Sequence, residues 1–457
     1  MKMAKVSMIS LGCDKNRVDS EVMMAALVRA GHELVPSAQE SEVVVINTCG
    51  FITPAKEESI EVILEATRLK EVEGQAVIVT GCLTQRYPHE LSEELPEVDG
   101  FLGTGELLSL PSVLERVLAG QRVTAVNANR PYTQIEGAFH RVLSTPQHLA
   151  YLKIAEGCSN SCAYCAIPLI RGGYRSRPVE DIIEEARQLA GMGVRELILV
   201  AQDLTAYGRD RHGQRMLAPL LGEVARVSGL AWVRLLYLYP SGINEELLTV
   251  IGEEDSLLNY FDIPLQHISA PLLRRMGRRG DPARVRSLLE MIRSRFSDAT
   301  LRTSLIVGLP GETESDFQEL VGFLKEFELD HVGVFRYSPE EGTPAATMAG
   351  QVPEEVMEER YHQLMTVQQG ISRARNEMLV GADVDVIIDE VIDERHYIGR
   401  GRRHAPEVDG QVYAEIPEGA VFQRPLVPGE IVPVQIAAAG EYDLWGEFHS
   451  SKNNSKA

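Results

Sequence analysis

A strand-then-helix alternation that repeats about six times after residue 149 constrains the fold of this chain more than any other feature. Helical patterns such as Val179 to Gly191 and Asp281 to Phe296 separate short apolar runs. The predicted strands are 149–155, Glu196 to Ala201, Trp232 to Tyr239, Tyr260 to Leu265, Leu301 to Val307 and His331 to Tyr337. Strands joined by helices pair in parallel, and the helices cover the outside of the sheet. Curled on itself, such a sheet forms a partial (β/α)6 barrel, whose chemistry belongs at the C-terminal ends of its strands.

Cys158, Cys162 and Cys165 form a C-x3-C-x2-C triplet in the loop that follows the first of these strands. Cysteine thiolates are the usual ligands of iron–sulfur clusters, and a 4Fe-4S cluster normally takes four of them. Three thiolates hold three irons and leave the fourth iron open to a substrate or cofactor, as catalytic metal sites keep an open position. The triplet therefore predicts a catalytic 4Fe-4S cluster.

Zinc binding and disulfide bonding are the alternatives for these cysteines. A structural zinc site needs four protein ligands and a catalytic one needs three plus water, and no His lies within the loop to complete either. Six cysteines in 457 residues is a low density for a disulfide framework. No cleavable apolar signal precedes them, and no stretch approaches the roughly 18 uninterrupted apolar residues of a membrane span. We therefore expect a cytoplasmic protein with reduced thiols and no membrane segment.

Cys13, Cys49 and Cys82 lie far apart in the sequence, but each stands at the end of an apolar run of β-prone residues. Helical patterns at Asp19 to Ala30 and Pro54 to Leu69 fill the gaps and produce a β-α-β-α-β order, which predicts a parallel α/β domain. The C-terminal ends of such strands share one edge, where ligands bind. Taken singly, each cysteine would more often be a small buried hydrophobe. Three strand ends together predict a second cluster site, again one ligand short.

Longer motifs around both sets of cysteines resemble those of one known family. The segment 156–165 closely resembles the signature of radical S-adenosylmethionine enzymes. The segments 11–21, 47–51 and 80–83 look like the amino-terminal domain of methylthiotransferases, a family within that class. The likeness covers nearly the whole chain.

The resemblance implies two 4Fe-4S clusters and S-adenosylmethionine as cofactors. It implies an auxiliary cluster on Cys13, Cys49 and Cys82 and a catalytic radical cluster on Cys158, Cys162 and Cys165. S-adenosylmethionine would bind the open iron of the radical cluster, and one electron from a donor such as flavodoxin or ferredoxin would cleave it to a radical. That radical takes hydrogen from an unactivated carbon, a step beyond any side-chain acid or base at neutral pH.

The resemblance also suggests residues that contact S-adenosylmethionine. In radical enzymes the end of the second barrel strand binds the methionine amino group, and this role falls to Gln202 and Asp203. The fifth strand carries an I-x-G element whose isoleucine lies against adenine, and Ile306 and Gly308 match it.

Two neighbouring features leave their roles open. The acidic residue that usually follows two places after the I-x-G glycine is displaced to Glu312, which puts its role in question. Gly-rich loops also form ordinary tight turns, so Gly308 to Gly311 fits that interpretation equally well. His267, after the fourth strand, is compatible with an ordinary core histidine, and no spacing marks it as a metal ligand.

A chain of 457 residues exceeds what one hydrophobic core normally serves, so two to four domains are expected. The first α/β unit should end near Gly120, after a helix from Pro111 to Leu118. The segment Ala128 to Gln147 has the turn-forming composition of a linker. We expect three domains, spanning residues 3–120, 144–374 and 377–449.

The third domain is predicted to be a small antiparallel β-barrel. After a polar helix from Pro353 to Glu377, five short alternating segments follow with turn signals between them. In position and in the element 405–410, this part resembles the TRAM domain that closes chains of the family. The final segment, Ser450 to Ala457, is polar and expected to be disordered.

The charge balance bears on the substrate. TRAM domains commonly bind RNA, which would make a tRNA base the target. The whole chain, however, carries a formal net charge of −21, and residues 371–457 contain nine Lys and Arg against fifteen Asp and Glu. An RNA-binding module should show a basic stripe. An acidic surface instead complements a basic protein, and ribosomal proteins are of that kind.

Motif details agree with a protein substrate. The forms Leu11 to Asn16 and Ala201 to Tyr207, and the segment 442–447, look like the ribosomal-protein branch of the family. Members of that branch methylthiolate the β-carbon of an aspartate in ribosomal protein S-twelve, which implies that protein as the partner, free or in the small subunit, with RNA contact possible through the ribosome. A tRNA methylthiotransferase and a non-catalytic iron–sulfur scaffold or electron carrier are the alternatives.

Overall fold

The computed structural model of the chain describes residues 3–127, 141–278, 281–418 and 424–448. Residues 128–140 of the expected linker lie outside the described residues, as do residue 449 and the polar tail 450–457. Within the described ranges, no helix is both long enough and apolar enough to cross a membrane.

A parallel sheet forms the first part of the chain. Its strands are β1 (Lys5–Ser10), β2 (Glu33–Leu34), β3 (Val43–Thr48), β4 (Ala76–Gly81), β5 (Gly100–Leu102) and β6 (Val123–Ala125). They pair in the order β2-β1-β3-β4-β5-β6, and every pair is parallel. All six residues of β3 are buried, as expected for a β-branched run in a sheet that is covered on both faces.

Helices cover both faces of this sheet. They are α1 (Asp14–Arg29), α2 (Thr53–Glu73), α3 (Cys82–Arg86), α4 (Pro88–Glu94) and α5 (Leu110–Leu118). Successive side chains of a strand point to opposite faces. Val43 and Val45 accordingly pack with residues of α1 and α5, whereas Val44 and Ile46 pack with residues of α2. The predicted parallel α/β fold is confirmed, and the C-terminal ends of its strands lie at one edge.

The central part contains six barrel strands and a separate pair of short strands. The strands of this region are β7 (Leu149–Lys153), β8 (Ala155–Glu156), β9 (Arg175–Ser176), β10 (Glu196–Val200), β11 (Trp232–Leu235), β12 (Tyr260–Asp262), β13 (Thr300–Val307) and β14 (His331–Arg336). Two parallel three-stranded sheets have the orders β11-β10-β7 and β12-β13-β14, while β8 and β9 form a separate short pair. A single bridge between Val233 and Leu257 links β11 to the segment before β12. The strand order is therefore that of the predicted partial (β/α)6 barrel, with β7 and β14 at its two ends.

Two of these strands end three or four residues earlier than predicted. β11 ends at Leu235 rather than Tyr239, and β12 ends at Asp262 rather than Leu265. Tyr237 has φ +65° and Gln266 has φ +69°, both in the left-handed region. A non-glycine residue adopts that conformation at a cost, and it cannot continue an extended strand. The chain thus leaves the extended conformation two residues after β11, whereas Gln266, four residues after β12, still forms a bridge to Leu305 of β13.

Helices lie between and after the strands of the barrel along the chain. They are α6 (Ile167–Arg171), α7 (Val179–Gly191), α8 (Arg209–His212), α9 (Leu217–Ala225), α10 (Glu245–Glu253), α11 (Ala270–Arg275), α12 (Pro282–Arg295), α13 (Glu314–Phe327) and α14 (Glu354–Glu377). Leu197 and Leu199 of β10 pack with these helices, whereas Ile198 and Val200 belong to a second apolar cluster. That second cluster also contains Val18 of α1. Helix α1 therefore packs against the face of the barrel strands that points away from these helices.

A closed five-stranded barrel ends the described chain. Its strands are β15 (Asp383–Val391), β16 (His396–Gly401), β17 (Val412–Glu415), β18 (Ile431–Ala439) and β19 (Leu444–Phe448), in the order β15-β16-β17-β19-β18. All neighbours are antiparallel except β17 and β19, which pair in parallel. The predicted small barrel is confirmed, with one parallel pair that the sequence pattern did not indicate.

This small barrel docks on the N-terminal ends of the central strands. Glu196, the first residue of β10, accepts from Arg234 of β11 at 2.8 Å and pairs with Arg400 of β16 at 2.6 Å. All three side chains are almost fully buried. The C-terminal ends of the strands, where chemistry is expected, thus remain on the opposite side from this contact.

Candidate active site between two cysteine triplets

The first triplet consists of Cys13, Cys49 and Cys82, each positioned by the end of a strand. Cys13 precedes α1, Cys49 directly follows β3, and Cys82 directly follows β4 and begins α3. Because β1, β3 and β4 are neighbours in the sheet, these residues reach the same edge. Gly12 has φ +85°, and a Cβ atom there would lie 3.2 Å from the Cys49 sulfur. Only glycine permits this close approach of the first loop to the second.

Burial is the main influence on the pKa values of two thiols of the first triplet, Cys49 and Cys82. Burial, together with the neighbouring Cys82 thiol, raises the pKa of Cys49 to about 12. Burial also raises the pKa of Cys82, an effect that the guanidinium of Arg171 opposes. Such thiols are protonated at pH 7 in the metal-free chain. They release their protons when a metal binds, since the thiolate is the ligand.

The second triplet consists of Cys158, Cys162 and Cys165, in the loop between β8 and α6. The Cys158 N–H donates to the carbonyl of Gly172 at 3.1 Å, and the Ala163 N–H donates to the carbonyl of Met276 at 2.8 Å. The loop is therefore held from both sides by backbone of other segments. Burial, together with the other two thiols of the triplet, raises the pKa of Cys165 to about 12.

The spacing of the thiols bears on which metal group they fit. Within the described part of the chain, no group of three or more His, Cys, Asp and Glu side chains is close enough together to hold one metal ion. A zinc ion requires such convergence, because its thiolate ligands all lie about 2.3 Å from the same atom. A cubane cluster does not require it, because each cysteine binds a different iron. The donor set of three thiolates in each triplet fits an iron–sulfur cluster.

The predicted contacts at the end of β10 lie directly beside the second triplet. Asn160, between Cys158 and Cys162, donates its Nδ2 to Asp203 Oδ2 at 2.9 Å. Gln202 donates its Nε2 to Glu156 Oε1 at 3.1 Å. The Oε1 of Gln202 is buried and has no hydrogen-bond partner among the described residues. An acceptor without a partner beside the cysteine loop is suited to bind an amino group. The sequence resemblance predicts that this position binds the methionine amino group.

The predicted contacts at the end of β13 reach the same loop from its other side. Ile306 packs in an apolar cluster that includes Ala163 and Tyr164 of the cysteine loop. Gly308 has φ +81°, and a Cβ atom there would collide with Met357 of α14. The structure thus places Gln202, Asp203 and Ile306 beside the loop of the second triplet, whereas Gly308 contacts Met357 and Glu312.

Glu312 and His267, whose roles the sequence left open, act within the protein. Glu312 accepts from the backbone N–H groups of Gly308 and Leu309 and pairs with Arg360 at 3.2 Å. It stabilises the turn, although burial raises its pKa to about 7. His267 accepts from the backbone N–H of Ser269 at 3.0 Å, and burial lowers its pKa to about 4. The contacts of Glu312 agree with the interpretation of Gly308 to Gly311 as a tight turn, and His267 is buried, with no hydrogen-bond partner for its Nε2 among the described residues.

A buried ion network that sequence reasoning missed lies between the two triplets. Arg171 donates to Asp19 at 2.8 Å and to Glu156 at 3.0 Å. Lys153 pairs with the same two carboxylates. Two cations and two carboxylates thus balance in a site from which water is excluded, as buried charges require. No sequence signal identified these partners, because Asp19 lies more than 130 residues before the others.

Arg278 is a second missed residue. Its Nη1 lies 3.8 Å from the Cys162 sulfur and donates to the Tyr164 hydroxyl at 3.1 Å. Its guanidinium also stacks on the ring of Tyr239, 4.6 Å from the centroid. Arg278 therefore places a buried positive charge beside the second triplet.

The two triplets face each other across the interface between the parallel sheet and the barrel. Cys82 packs against Ala166 and Ile170, which follow the second triplet. The contact is held by Glu340, in the loop after β14, which accepts from Lys56 at 2.8 Å and from Arg86 at 2.6 Å. A substrate that reaches one triplet at this interface is therefore close to the other.

Family models match three stretches of the chain. Residues 5–103 match the uncharacterized protein family UPF0004. Residues 152–324 match the radical SAM superfamily, and residues 380–448 match the TRAM domain.

Named relatives match this chain over nearly its whole length. A protein of Heliobacterium modesticaldum named ribosomal protein uS12 methylthiotransferase RimO is 47% identical over 97% of this chain and 95% of its own length. Proteins of the same name are 49% identical in Anaeromyxobacter sp. strain K, over 97% of this chain and 92% of their own, and 47% identical in Syntrophus aciditrophicus, over 99% and 100%.

Solved structures share the fold at low identity. The radical S-adenosylmethionine methyltransferase TsrM of Kitasatospora setae superposes with a TM-score of 0.56 at 16% identity, over 80% of this chain and 89% of that chain. The cobalamin-dependent S-adenosylmethionine radical enzyme OxsB superposes with a TM-score of 0.51 at 13% identity, over 81% of this chain and 56% of that one. At these identities the likeness concerns the fold alone.

Proposed function

This chain belongs to the family of ribosomal protein uS12 methylthiotransferases, and from that premise we propose that it methylthiolates the β-carbon of an aspartate in uS12, ribosomal protein S-twelve. The observation that carries the proposal is the meeting of two cysteine triplets at one interface, with Cys82 packed against the helix that follows Cys165. A methylthio transfer needs a site that activates the carbon and a site that supplies sulfur. Two triplets at one interface fit that division.

We propose that each triplet holds one 4Fe-4S cluster through its three thiolates, the radical cluster on Cys158, Cys162 and Cys165 and the auxiliary cluster on Cys13, Cys49 and Cys82. Bound at the second triplet together with S-adenosylmethionine, the cluster supplies the ability to remove hydrogen from an unactivated carbon. The thiol donor sets support this assignment, because soft thiolates suit iron–sulfur clusters. The electron donor we propose is a flavodoxin or ferredoxin.

The chain's own residues would orient S-adenosylmethionine beside the second triplet. The free Oε1 of Gln202 is suited to accept from the amino group, and Asp203 braces Asn160 within the cysteine loop. Ile306 offers an apolar surface on the other side of that loop. The buried interface between the sheet and the barrel would keep water away from reactive species.

An aromatic pair on the small barrel supports a basic protein as substrate. Tyr413 and Trp445, opposite each other on β17 and β19, are exposed and stack with ring centroids 5.9 Å apart. Exposed Glu415 and Glu447 form the next outward pair on the same strands. An aromatic platform also suits nucleic acid bases. The two carboxylates repel phosphate and attract Lys and Arg, which favours a basic peptide over the tRNA alternative.

We propose a division of labour among three domains, with residues 3–120 holding the auxiliary cluster, 144–374 the radical cluster and 377–449 docking the substrate. The ion pairs that join these parts support a single working unit. Because the substrate is a ribosomal protein, we place the reaction in the cytoplasm.

The experiment that tests this function is anaerobic incubation of the reconstituted protein with a reductant, S-adenosylmethionine and small ribosomal subunits. Intact-mass analysis should show uS12 heavier by one methylthio group. The control is a variant in which Cys158, Cys162 and Cys165 are replaced by Ala, which should leave uS12 unchanged. Methylthiolated adenosine in added tRNA, with unmodified uS12, would establish the tRNA alternative instead.

A further inference from the structure

Arg171 is the one side chain described above that contacts both the first triplet and the side chain of Glu156, just before the second triplet. It is the last residue of α6, the helix that begins two residues after Cys165. Its Nη2 donates to the Cys82 sulfur at 3.2 Å and also to Asn16 Oδ1. Its Nη1 donates to Glu156 at 3.0 Å, two residues before Cys158. A single rigid guanidinium therefore links the two sites.

The side chain has little freedom to move. Arg171 is almost completely buried, and the carboxylates of Asp19 and Glu156 hold its Nη1. Glu156 is itself held by the Gly157 N–H at 3.1 Å and by Gln202. Planar guanidinium groups fixed by two carboxylates keep their remaining N–H groups in a set direction. Here that direction is toward the Cys82 sulfur.

Hydrogen bonds to ligand sulfurs are among the features that set the reduction potential of an iron–sulfur cluster. An N–H donor, especially a cationic one, stabilises the more reduced and more negative state, so it raises the potential. Groups that contact metal ligands also fix the ligand geometry. Arg171 is placed to do both for the sulfur of Cys82.

We propose that Arg171 is a positioning residue that raises the reduction potential of the auxiliary cluster through Cys82 and fixes that cluster relative to the second triplet. This inference rests on the proposed function, since it requires a cluster on the first triplet. The tie through Glu156 sets the separation between the sulfur-supplying site and the carbon-activating site. The hydrogen bond to Cys82 sets how readily the auxiliary cluster accepts an electron.

The test uses full-length protein in which Cys158, Cys162 and Cys165 are replaced by Ala, so that only the auxiliary cluster is present. Its midpoint potential is measured by redox titration monitored by electron paramagnetic resonance. R171M removes the donor and the charge, and R171K keeps the charge. The matched control is R141M, because Arg141 is equally buried and also ties α1 to the barrel, through Glu21 at 3.3 Å and Glu185 at 3.0 Å.

We expect R171M to shift the potential to more negative values, R171K to restore part of the shift, and R141M to leave the potential unchanged. An R171M protein that is folded by circular dichroism but loses the auxiliary iron, while R141M retains it, also supports the positioning role. A wild-type potential in iron-loaded R171M overturns the inference, as does an equal shift or equal iron loss in R141M. If the background with Arg171 intact binds no iron, the two-cluster proposal itself fails and the inference falls with it.

Discussion

Arg86 Nη1 lies 2.6 Å from Glu340 Oε2, which joins α3 of the parallel sheet to the loop after the last strand of the barrel. The same guanidinium donates to the Gly50 carbonyl at 2.9 Å, one residue after Cys49. Lys56 adds a second cation to Glu340. One carboxylate thus holds the loops of two cysteines of the first triplet against the barrel.

Replacing this carboxylate should loosen the interface. Glu340→Gln keeps the shape but removes the charge, and we expect a loss of about 1–3 kcal/mol in the free energy of unfolding, as for a buried charged hydrogen bond. Glu358→Gln is the control, because the pair of Glu358 with Arg336 is exposed and worth about 0–1 kcal/mol. Equal losses in both variants, measured by chemical denaturation, would contradict a specific role for Glu340.

The same contact should respond to acid. The hydrogen bonds from Lys56, Ser338 and Arg86 hold the pKa of Glu340 below its usual value, although burial opposes them. A carboxyl whose folded pKa is lowered adds stability above its unfolded pKa, about 4.3, and loses it as the pH falls through the folded value. Wild-type stability should therefore fall below about pH 4.3 more steeply than that of Glu340→Gln. Parallel pH profiles would argue against this linkage.

Iron content should report the two triplets separately. Anaerobically reconstituted protein should bind about eight irons, and replacing Cys158, Cys162 and Cys165 by Ala should leave about four. The reciprocal variant at Cys13, Cys49 and Cys82 should also retain about four. Iron and sulfide analysis checks both, and a wild-type iron count in either variant would mean that its ligands are assigned wrongly.

The triplets should also separate by reaction. Alanine at Cys13, Cys49 and Cys82 should abolish methylthio transfer while some reductive formation of 5′-deoxyadenosine survives, because the second triplet is intact. Chromatography of the small-molecule products measures the surviving reaction. A folded variant that keeps its second cluster and forms none would show that the two sites do not act independently.

Charge reversal on the small barrel should slow the association of the protein substrate with the enzyme. The double variant Glu415→Lys and Glu447→Lys should lower kcat/KM for uS12 at low salt, and the difference should shrink as salt rises, since exposed charges are screened over about 10 Å at 0.1 M. Glu61→Lys, on an exposed face of α2, is the matched control. A gain in tRNA methylthiolation without loss for uS12 would favour the tRNA alternative.

The positions of the two cysteine triplets could be predicted from the sequence pattern. The spacing of Cys158, Cys162 and Cys165 lies within one loop, so chain connectivity alone keeps the thiols near one another. Cys13, Cys49 and Cys82 are far apart in the chain, but each ends a strand of a predicted parallel sheet. Because parallel strands end at one edge, the alternation of strands and helices was enough to predict that they meet.

The ends of β11 and β12 were not predicted correctly from the sequence pattern. The early end of β12 has a local signal, because the run at Tyr260 to Leu265 contains Pro264, which has no backbone N–H to donate. The run at Trp232 to Tyr239 has no such residue, yet β11 ends at Leu235, two residues before left-handed Tyr237. Tyr237 is held there by tertiary contacts: its N–H donates to Asp262 and its ring packs under Lys15 of α1. Such conformations persist only where the surrounding structure imposes them.

The sequence by itself determined the elements whose causes are local: the strands, the helices between them, the two triplets, the small barrel and the acidic charge. Only the tertiary structure decided which side chains connect these parts. Arg171 meets Cys82 across 89 positions and Arg86 meets Glu340 across 254. Contacts of this kind depend on how separately folded units are oriented relative to each other. No periodicity or spacing along the chain encodes that orientation.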